Sequence, residues 1–512
     1  MNYLSTMGVF RTLSKDWKRD IIILILLQVL LGLIYLKSVP RFFQDEAVES
    51  SFGYSLAYEG RLRHPIIEGL GGVHIHFLQN RLILPMVCAV IYRLIGFSIL
   101  TSRLSSVLVS VIAIINIYGV MRYFFGHRQA FFIAAATILY PWFFEISRRV
   151  RPEIYYIALG MGAWWCLVYS LHKQKKLTAF LAGLLAGLTG LTHPTGFVLG
   201  FALFLAVLIW QWSQHNKKVF LWIGVGFMVA LLPYVFYVLW CIQDPRIDFS
   251  EQMLVSGLQR AILKSEILRW RYFLQWPSGA PLAVILVFSL FYALYRSTSY
   301  DKIIATAIII YSIILPFATV NATSRYLVAL APLFCALVVR FVFRVTKSIH
   351  GQKLVFYKYR FIVTVAIIAI YMAISGIAIS RMIFSLRGAD FSKVLDRVSS
   401  VLDRKALVYG EMVFFMERDR FRYGPYPMEF RDGASYQDIE MVSKYRFDYA
   451  IRTAWLMASS HGIASPPIDM PAFRPWWIID QVCERFGTKI YEFRDPYFGP
   501  VEVYKLNWEN SN

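Results

Sequence analysis

"LILPMVCAVIYRLIGF" (residues 82–97) is apolar but short, and its path decides how the rest of the chain is threaded. A helix needs roughly 20 apolar residues to cross a bilayer. This run falls below that length and carries Arg93, a costly residue at bilayer depth. It is read as a juxtamembrane or half-inserted helix that does not cross.

Working outward, the remaining apolar runs are 21–36, 99–125, 129–147, 153–171, 178–191, 195–212, 218–240, 280–296, 302–320, 326–346 and 359–384. These make about eleven candidate spans. Charge tests the threading. If 82–97 stays on one side, one set of connections reads "RTLSKDWKR", "GHR", "HKQKK", "QHNKK", "YRSTSYDK" and "FRVTKSIHGQKLVFYKYR". All are short and basic, the pattern of cytoplasmic loops. The other set comprises 37–98, "SRRVRP", "THPT", 241–279, "NATSR" and everything after Phe384, and faces out. Were 82–97 to cross, the basic loops after it would face the wrong way.

Composition agrees with a polytopic helical membrane protein. The 512 residues are 57% hydrophobic and 17% charged, with mean hydropathy +0.51. A soluble globule is nearer half apolar and a quarter charged. Helices are required because unpaired backbone groups are not tolerated in hydrocarbon. The net charge of +21 reads as a basic cytoplasmic rim with anionic lipid or substrate partners, and not as a nucleic-acid surface. Cys88, Cys166, Cys241, Cys335 and Cys483 are scattered, with neither metal spacing nor a disulfide framework. Ile21 to Leu36 lacks a small-residue cleavage site and reads as a retained first span.

Polar residues that look out of place gather on the outward set of connections. Asp45 and Glu46 follow the first span; His64, His74, His76 and Arg81 share that loop. Arg148, Arg149, Arg151 and Glu153 lie between the third and fourth spans, His193 precedes Pro194, and Arg325-Tyr326 opens the tenth. Each has a plainer reading. Asp45 and Glu46 could cap an interfacial helix starting near Ala47. His74 and His76 would share a face on a strand, but two histidines do not make a metal site. His193 could end a helix, and Arg325-Tyr326 could anchor an interface. The arginines at 148–151 break the charge rule, and Glu153 supplies one carboxylate at most. A lipid phosphate suits the remaining guanidinium forks.

"QDEA" after the first span, "RPE" opening the fourth, "LTHPTG" and "SRYLVALAP" together resemble the GT-C glycosyltransferases. The likeness is to the bacterial branch related to protein O-mannosyltransferases and to aminoarabinose or galacturonic acid transferases of lipid A. It covers about residues 15–385. Where that family often has a His-Pro-Pro-Leu-Tyr-like stretch before its second span, this chain reads "GVHIHFLQNRLILP".

The resemblance implies an inverting transferase that takes a sugar from a polyprenyl-phosphate donor on the extracytoplasmic face of a bacterial inner membrane. The acceptor is a lipid, a cell-envelope glycan or a polymer. Asp45 becomes the general base, which removes the acceptor hydroxyl proton. Glu46 orients the acceptor or a neighbouring helix. Arg81, Arg149, Arg151, Arg269, Arg271 and Arg325 become candidates for stabilising the leaving phosphate. His64, Glu153, His193 and Tyr326 complete the candidate substrate contacts. No cofactor is called for: there is no nucleotide-phosphate loop and no convincing carboxylate cluster for a divalent metal. A transporter or flippase for a lipid-linked or anionic substrate is the alternative. Transporters tend to show internal repeats and midplane charges, whereas here no repeat is found and the polar groups sit at span ends.

Residues 1–386 are thus read as the membrane part, including loop 37–98 with its juxtamembrane helices. Residues 387–512 are read as an extracytoplasmic α/β-type domain, with strands at "ALVYG", "DYAIR" and "PVEVYKL" and a helix over 390–403.

Overall fold

The computed structural model describes residues 16–69, 72–78, 81–211, 217–248, 279–318, 324–349, 355–410, 412–417, 422–424, 426–431, 434–436, 438–453 and 476–510. The chain is a polytopic helical membrane protein with a smaller sheet-containing part. Among the described residues, six helices are long and apolar enough to cross a bilayer, and four shorter apolar helices pack among them.

The bundle begins with α1 (Asp16–Leu33), then α2 (Gln44–Tyr54), α3 (Ile83–Ile95) and α4 (Ile99–Phe125). It continues through α5 (His127–Ile138), α6 (Pro141–Ile146), α7 (Pro152–Lys173), α8 (Lys176–Gly190), α9 (Pro194–Gln211) and α10 (Lys217–Cys241). The later helices are α11 (Gly279–Arg296), α12 (Ser299–Ala318), α13 (Ala331–Ile349) and α14 (Val355–Leu386). Apolar side chains such as Leu221, Met228, Leu232 and Phe236 of α10 stay exposed. In water that would be an aggregation surface; against lipid tails it is the expected outer face. Close helix approach relies on small residues. A Cβ placed on Gly183 of α8 would meet the Ile223 carbonyl oxygen of α10 at 1.8 Å.

Three expectations about the helices are corrected. The run 129–147 is not one helix: it breaks at Tyr140, whose ψ of 120° is extended, and restarts at Pro141. Proline lacks an N–H and disfavours helix at the residue before it. The tenth span opens with a 3₁₀ turn, Ser324–Leu330, before α13. The acidic pair caps nothing: α2 starts at Gln44, its N-cap is Phe43, and no side chain caps it. Asp45 and Glu46 lie inside the first turn.

The short helix α3 is buried along Leu84, Cys88, Ile91 and Tyr92, while Met86, Val90 and Leu94 are exposed. At 1.5 Å per residue its 13 residues reach roughly 20 Å, less than a bilayer core.

The tail folds into a mixed five-stranded sheet of order β3-β2-β6-β8-β7. Its strands are β2 (Leu407–Gly410), β3 (Arg422–Tyr423), β6 (Tyr449–Thr453), β7 (Gly487–Asp495) and β8 (Gly499–Leu506). The strands expected at "ALVYG", "DYAIR" and "PVEVYKL" are β2, β6 and β8, and the expected helix is Phe391–Ser399. The tail does not fold apart from loop 37–98. β1 (Ile67–Gly69), from that loop, pairs in parallel with β4 (Tyr426–Arg431), which also pairs with β5 (Ala434–Tyr436). Phe42, Ala47, Phe52, Ile66 and Phe77 join Val394, Leu395, Tyr409, Phe414 and Phe415 in one core. This shared core presses α2 against the end of the bundle.

Candidate active site

The site is built on the first turn of α2. Acidic residues are favoured there by the helix dipole, and helical spacing carries Glu49 onto the same side as Asp45. Glu46 points inward. Arg103 of α4 grips it as a fork, with Nε 2.9 Å from Oε2 and Nη2 2.7 Å from Oε1, and both side chains are fully buried. Arg103 also donates to the Leu36 and Lys37 carbonyls at 2.9 and 3.2 Å. The Val150 N–H donates to Glu46 at 3.3 Å. Glu46 therefore ties α2, α4, the end of α1 and the start of α7 together, and its two oxygens are occupied.

Asp45, one residue earlier, is different. Its side chain is about a third exposed and forms an ion pair with Arg151, the N-cap residue of α7. Arg151 also approaches the buried Glu153 at 3.4 Å. Arg81 reaches Glu49 at 3.0 Å. The other Glu49 oxygen, Oε2, is buried without a hydrogen-bond partner. Burial, opposed by Arg81 and Arg151, holds the Glu49 carboxyl above its ordinary range. Asp45, Glu49, Arg81, Arg151 and Glu153 thus make one charged cluster of alternating sign, with Tyr326 close enough to act on Arg151.

Beside it, His193 holds the start of α9. The Thr195 N–H donates to Nδ1 at 3.2 Å, and the Thr195 hydroxyl lies 2.8 Å away. An accepting Nδ1 leaves the proton of a neutral ring on Nε2. The ring lies 5.6 Å from that of Tyr326 and 6.3 Å from that of Tyr156. The Leu82 N–H donates to the Leu191 carbonyl at 2.8 Å, so the segment after Arg81 is held to the α8–α9 turn.

Besides Glu153, the arginine run finds partners elsewhere in the chain. Arg148 donates to the carbonyls of Leu31 at 2.6 Å, Val39 at 2.9 Å and Ile34, and so satisfies the end of α1. Such carbonyls have no intrahelical donor. Arg149 pairs with Glu145 at 2.9 Å. Only Arg151 of this run joins the cluster around Asp45.

The other candidates are placed as follows. His64 is buried edge-on to Phe52, at 4.8 Å between ring centres, and its Nδ1 accepts from the Ile67 N–H at 3.3 Å. Burial, with Arg81 nearby, pulls it down to about 3, so it is neutral near pH 7. It belongs to the core beneath the cluster. His74 and His76 lie in a turn, not on the expected strand, and His76 meets Trp240 edge-on at 5.3 Å. Among the described residues, no group of three or more His, Cys, Asp or Glu is disposed to hold a metal. Arg325 stands in the 3₁₀ turn before α13, and Arg269 and Arg271 lie outside the described residues.

Sequence reasoning missed Glu49 and Arg103. Glu49 is signalled by its helical spacing from Asp45 in "QDEAVE". Arg103 is signalled as a lone arginine in an apolar run, which needs a buried partner.

Residues 82–240 match the model of a family described as dolichyl-phosphate-mannose-protein mannosyltransferase. No curated protein matches the chain in sequence. Similar solved structures include ArnT from Cupriavidus metallidurans bound to undecaprenyl phosphate, with TM-score 0.60, 13% identity, and coverage of 96% of this chain and 98% of that one. The same enzyme in the apo state gives TM-score 0.63, 13% identity, and 95% and 97% coverage. The archaeal oligosaccharyltransferase AglB from Archaeoglobus fulgidus, in complex with an inhibitory peptide and a dolichol-phosphate, gives 0.56, 13% identity, and 96% and 74% coverage. The chain thus shares its fold with these structures over nearly its whole length, and residues 82–240 are similar to the mannosyltransferase family model.

Proposed function

We propose that the protein is an inverting glycosyltransferase that moves a sugar from a polyprenyl-phosphate donor to a lipid, glycan or polymer acceptor. The observation that carries this reading is Asp45: a partly exposed carboxylate, paired with a buried arginine, at the end of a membrane bundle. A lipid phosphate entering beside Arg151 competes with Asp45 for the guanidinium. Asp45 is then released from its ion pair as the donor binds, which makes it a stronger base when a base is needed.

In the reaction, the acceptor hydroxyl oxygen attacks the anomeric carbon and its proton passes to Asp45. The bond from the anomeric carbon to the phosphate oxygen breaks, and the lipid phosphate leaves with the electron pair. Arg151 and Arg81 stabilise the charge that accumulates on it. Glu49 holds Arg81 in place, Glu153 steadies Arg151, and Glu46 with Arg103 fixes the turn that presents Asp45. His193 and Tyr326 line the same region, where a sugar ring could lie against their rings. Arg149 engages Glu145 and is the weaker phosphate candidate of the two neighbours.

The reading includes an extracytoplasmic site in a bacterial inner membrane, supported by the basic connections at the other end of the bundle. The experiment is a donor screen. Purified protein is mixed with a panel of polyprenyl-phosphate sugars and an envelope extract as acceptor, and release of polyprenyl phosphate is measured. Release with one donor, abolished in Asp45→Asn, is the expected result. Donor binding without any release across the panel would overturn the transferase reading in favour of transport.

A further inference from the structure

A second cationic feature lies away from the charged cluster. A cavity of about 440 Å³ opens where α1 and α14 end and α4 begins. Lys37, Arg387 and Lys393 line it, with Asp390 the single carboxylate. Asp390 caps the following helix, accepting from the Ser392 N–H at 3.0 Å. Among the described residues, none of the three cations has an ion-pair partner. Three like charges around one hollow repel one another, and an anion relieves that repulsion.

The surroundings say what kind of anion. Leu33, Tyr35 and Leu100 line the same cavity and are exposed, and Ile34 and Phe384 are exposed near the ends of the same helices. These residues sit where long apolar helices stop and the sheet-containing part begins, the level of lipid headgroups. The backbone of residues 36–37 is held from behind by Arg103, which grips Glu46 on its far side. Arg103 thus links the backbone of the cavity wall to the first turn of α2.

We propose that this cavity binds the phosphate headgroup of an anionic membrane lipid, with the acyl chains lying along the exposed apolar ends of α1, α4 and α14. The assignment does not depend on the transferase reading. An occupant here braces the segment between α1 and α2 from outside.

The probe is phosphatidylglycerol. Full-length protein in a neutral detergent is titrated with it, and bound lipid is counted after a second passage through lipid-free detergent. Near a membrane surface each cation contributes about 1 kcal/mol, or about fivefold. Lys37→Gln, Arg387→Gln and Lys393→Gln should each weaken retention about fivefold, and the triple variant on the order of 100-fold. All three side chains are exposed, so folding is spared. Asp390→Asn keeps a capping side chain and removes the one opposing charge, so it should tighten binding. Lys173→Gln with Lys176→Gln, exposed at the other end of the bundle, is the control for general basicity. Retention unchanged in the triple variant, or reduced equally by the control pair, would overturn the site. Displacement by inorganic phosphate at equal concentration would overturn the lipid assignment in favour of a soluble anion.

Discussion

The two ends of the bundle each bury an arginine against a carboxylate, and they do so differently. At the end away from the sheet, Arg340 of α13 binds both oxygens of Asp301 of α12, at 2.8 and 3.1 Å, and its remaining nitrogen reaches Gln129 of α5 at 2.6 Å. Thr298 donates to the same carboxylate at 2.7 Å. That cluster is closed and staples three helices. At the other end, Asp45 is partly exposed and Glu49 keeps an oxygen without a partner. Buried polar groups are normally satisfied. Leaving one unmet beside a partly exposed carboxylate is the arrangement expected where a substrate completes the set. The same contrast recurs within one helical turn: Glu46 is fully buried against Arg103, whereas Asp45, paired with Arg151, is about a third exposed.

Four measurements break or sharpen this contrast. The largest effect is expected at Asp45. Asp45→Asn keeps the shape and removes the proton acceptor, so turnover should fall about 10²–10⁴-fold while the protein inserts, folds and retains donor. Because Asp45 does not cap α2, a folded variant with near-normal turnover would leave the carboxylate no catalytic part. Next comes the closed end. Arg340→Met removes the fork on Asp301, leaves it Thr298 and the more distant Arg344 at 3.6 Å, and should cost about 3 kcal/mol of stability, read by denaturation in detergent. A loss confined to activity would mean that this cluster is not a staple.

The third is Arg151→Gln, which should weaken donor use by about 1.5–3 kcal/mol, the range for a hydrogen bond to a charged group. Donor KM should rise more than kcat falls, and Arg149→Gln should change less. Equal effects at both positions would merge them into one structural role. The smallest concerns Glu49. Its carboxyl is raised above 4.5 in the fold by burial, against the pull of Arg81 and Arg151. Between 4.5 and the folded value the folded chain holds the extra proton, so this group makes stability fall as pH rises. Glu49→Gln removes that slope, so the difference in melting temperature between variant and wild type should grow with pH above 4.5. His64 works in the opposite direction and is common to both proteins. A difference that stays flat with pH would place the Glu49 proton elsewhere.

Architecture was legible in the sequence because bilayer crossing is a local, one-dimensional property of apolar length and flanking charge. The strands of the tail were legible for a similar reason, since alternation marks them residue by residue. The break at Tyr140 was signalled by Pro141, yet the apolar run around it masked the signal. The start of α2 was misjudged because the residues that stabilise it, Arg103 and Arg151, are remote in sequence.

The sequence by itself determined that this chain is a helical membrane protein, and it set Asp45, Arg151 and His193 apart as polar residues at the ends of apolar runs. Those properties follow from hydropathy and charge along the chain. Only the tertiary structure decided that Glu46 is buried against Arg103 while Asp45 stays partly exposed beside Arg151, and that Arg148 caps α1 instead of waiting for a ligand. It also drew Glu49 and Arg81 into the cluster and joined the first loop to the tail in one core. Those outcomes depend on which distant groups meet in a place without water, where an ion pair must be satisfied by whatever the fold brings near.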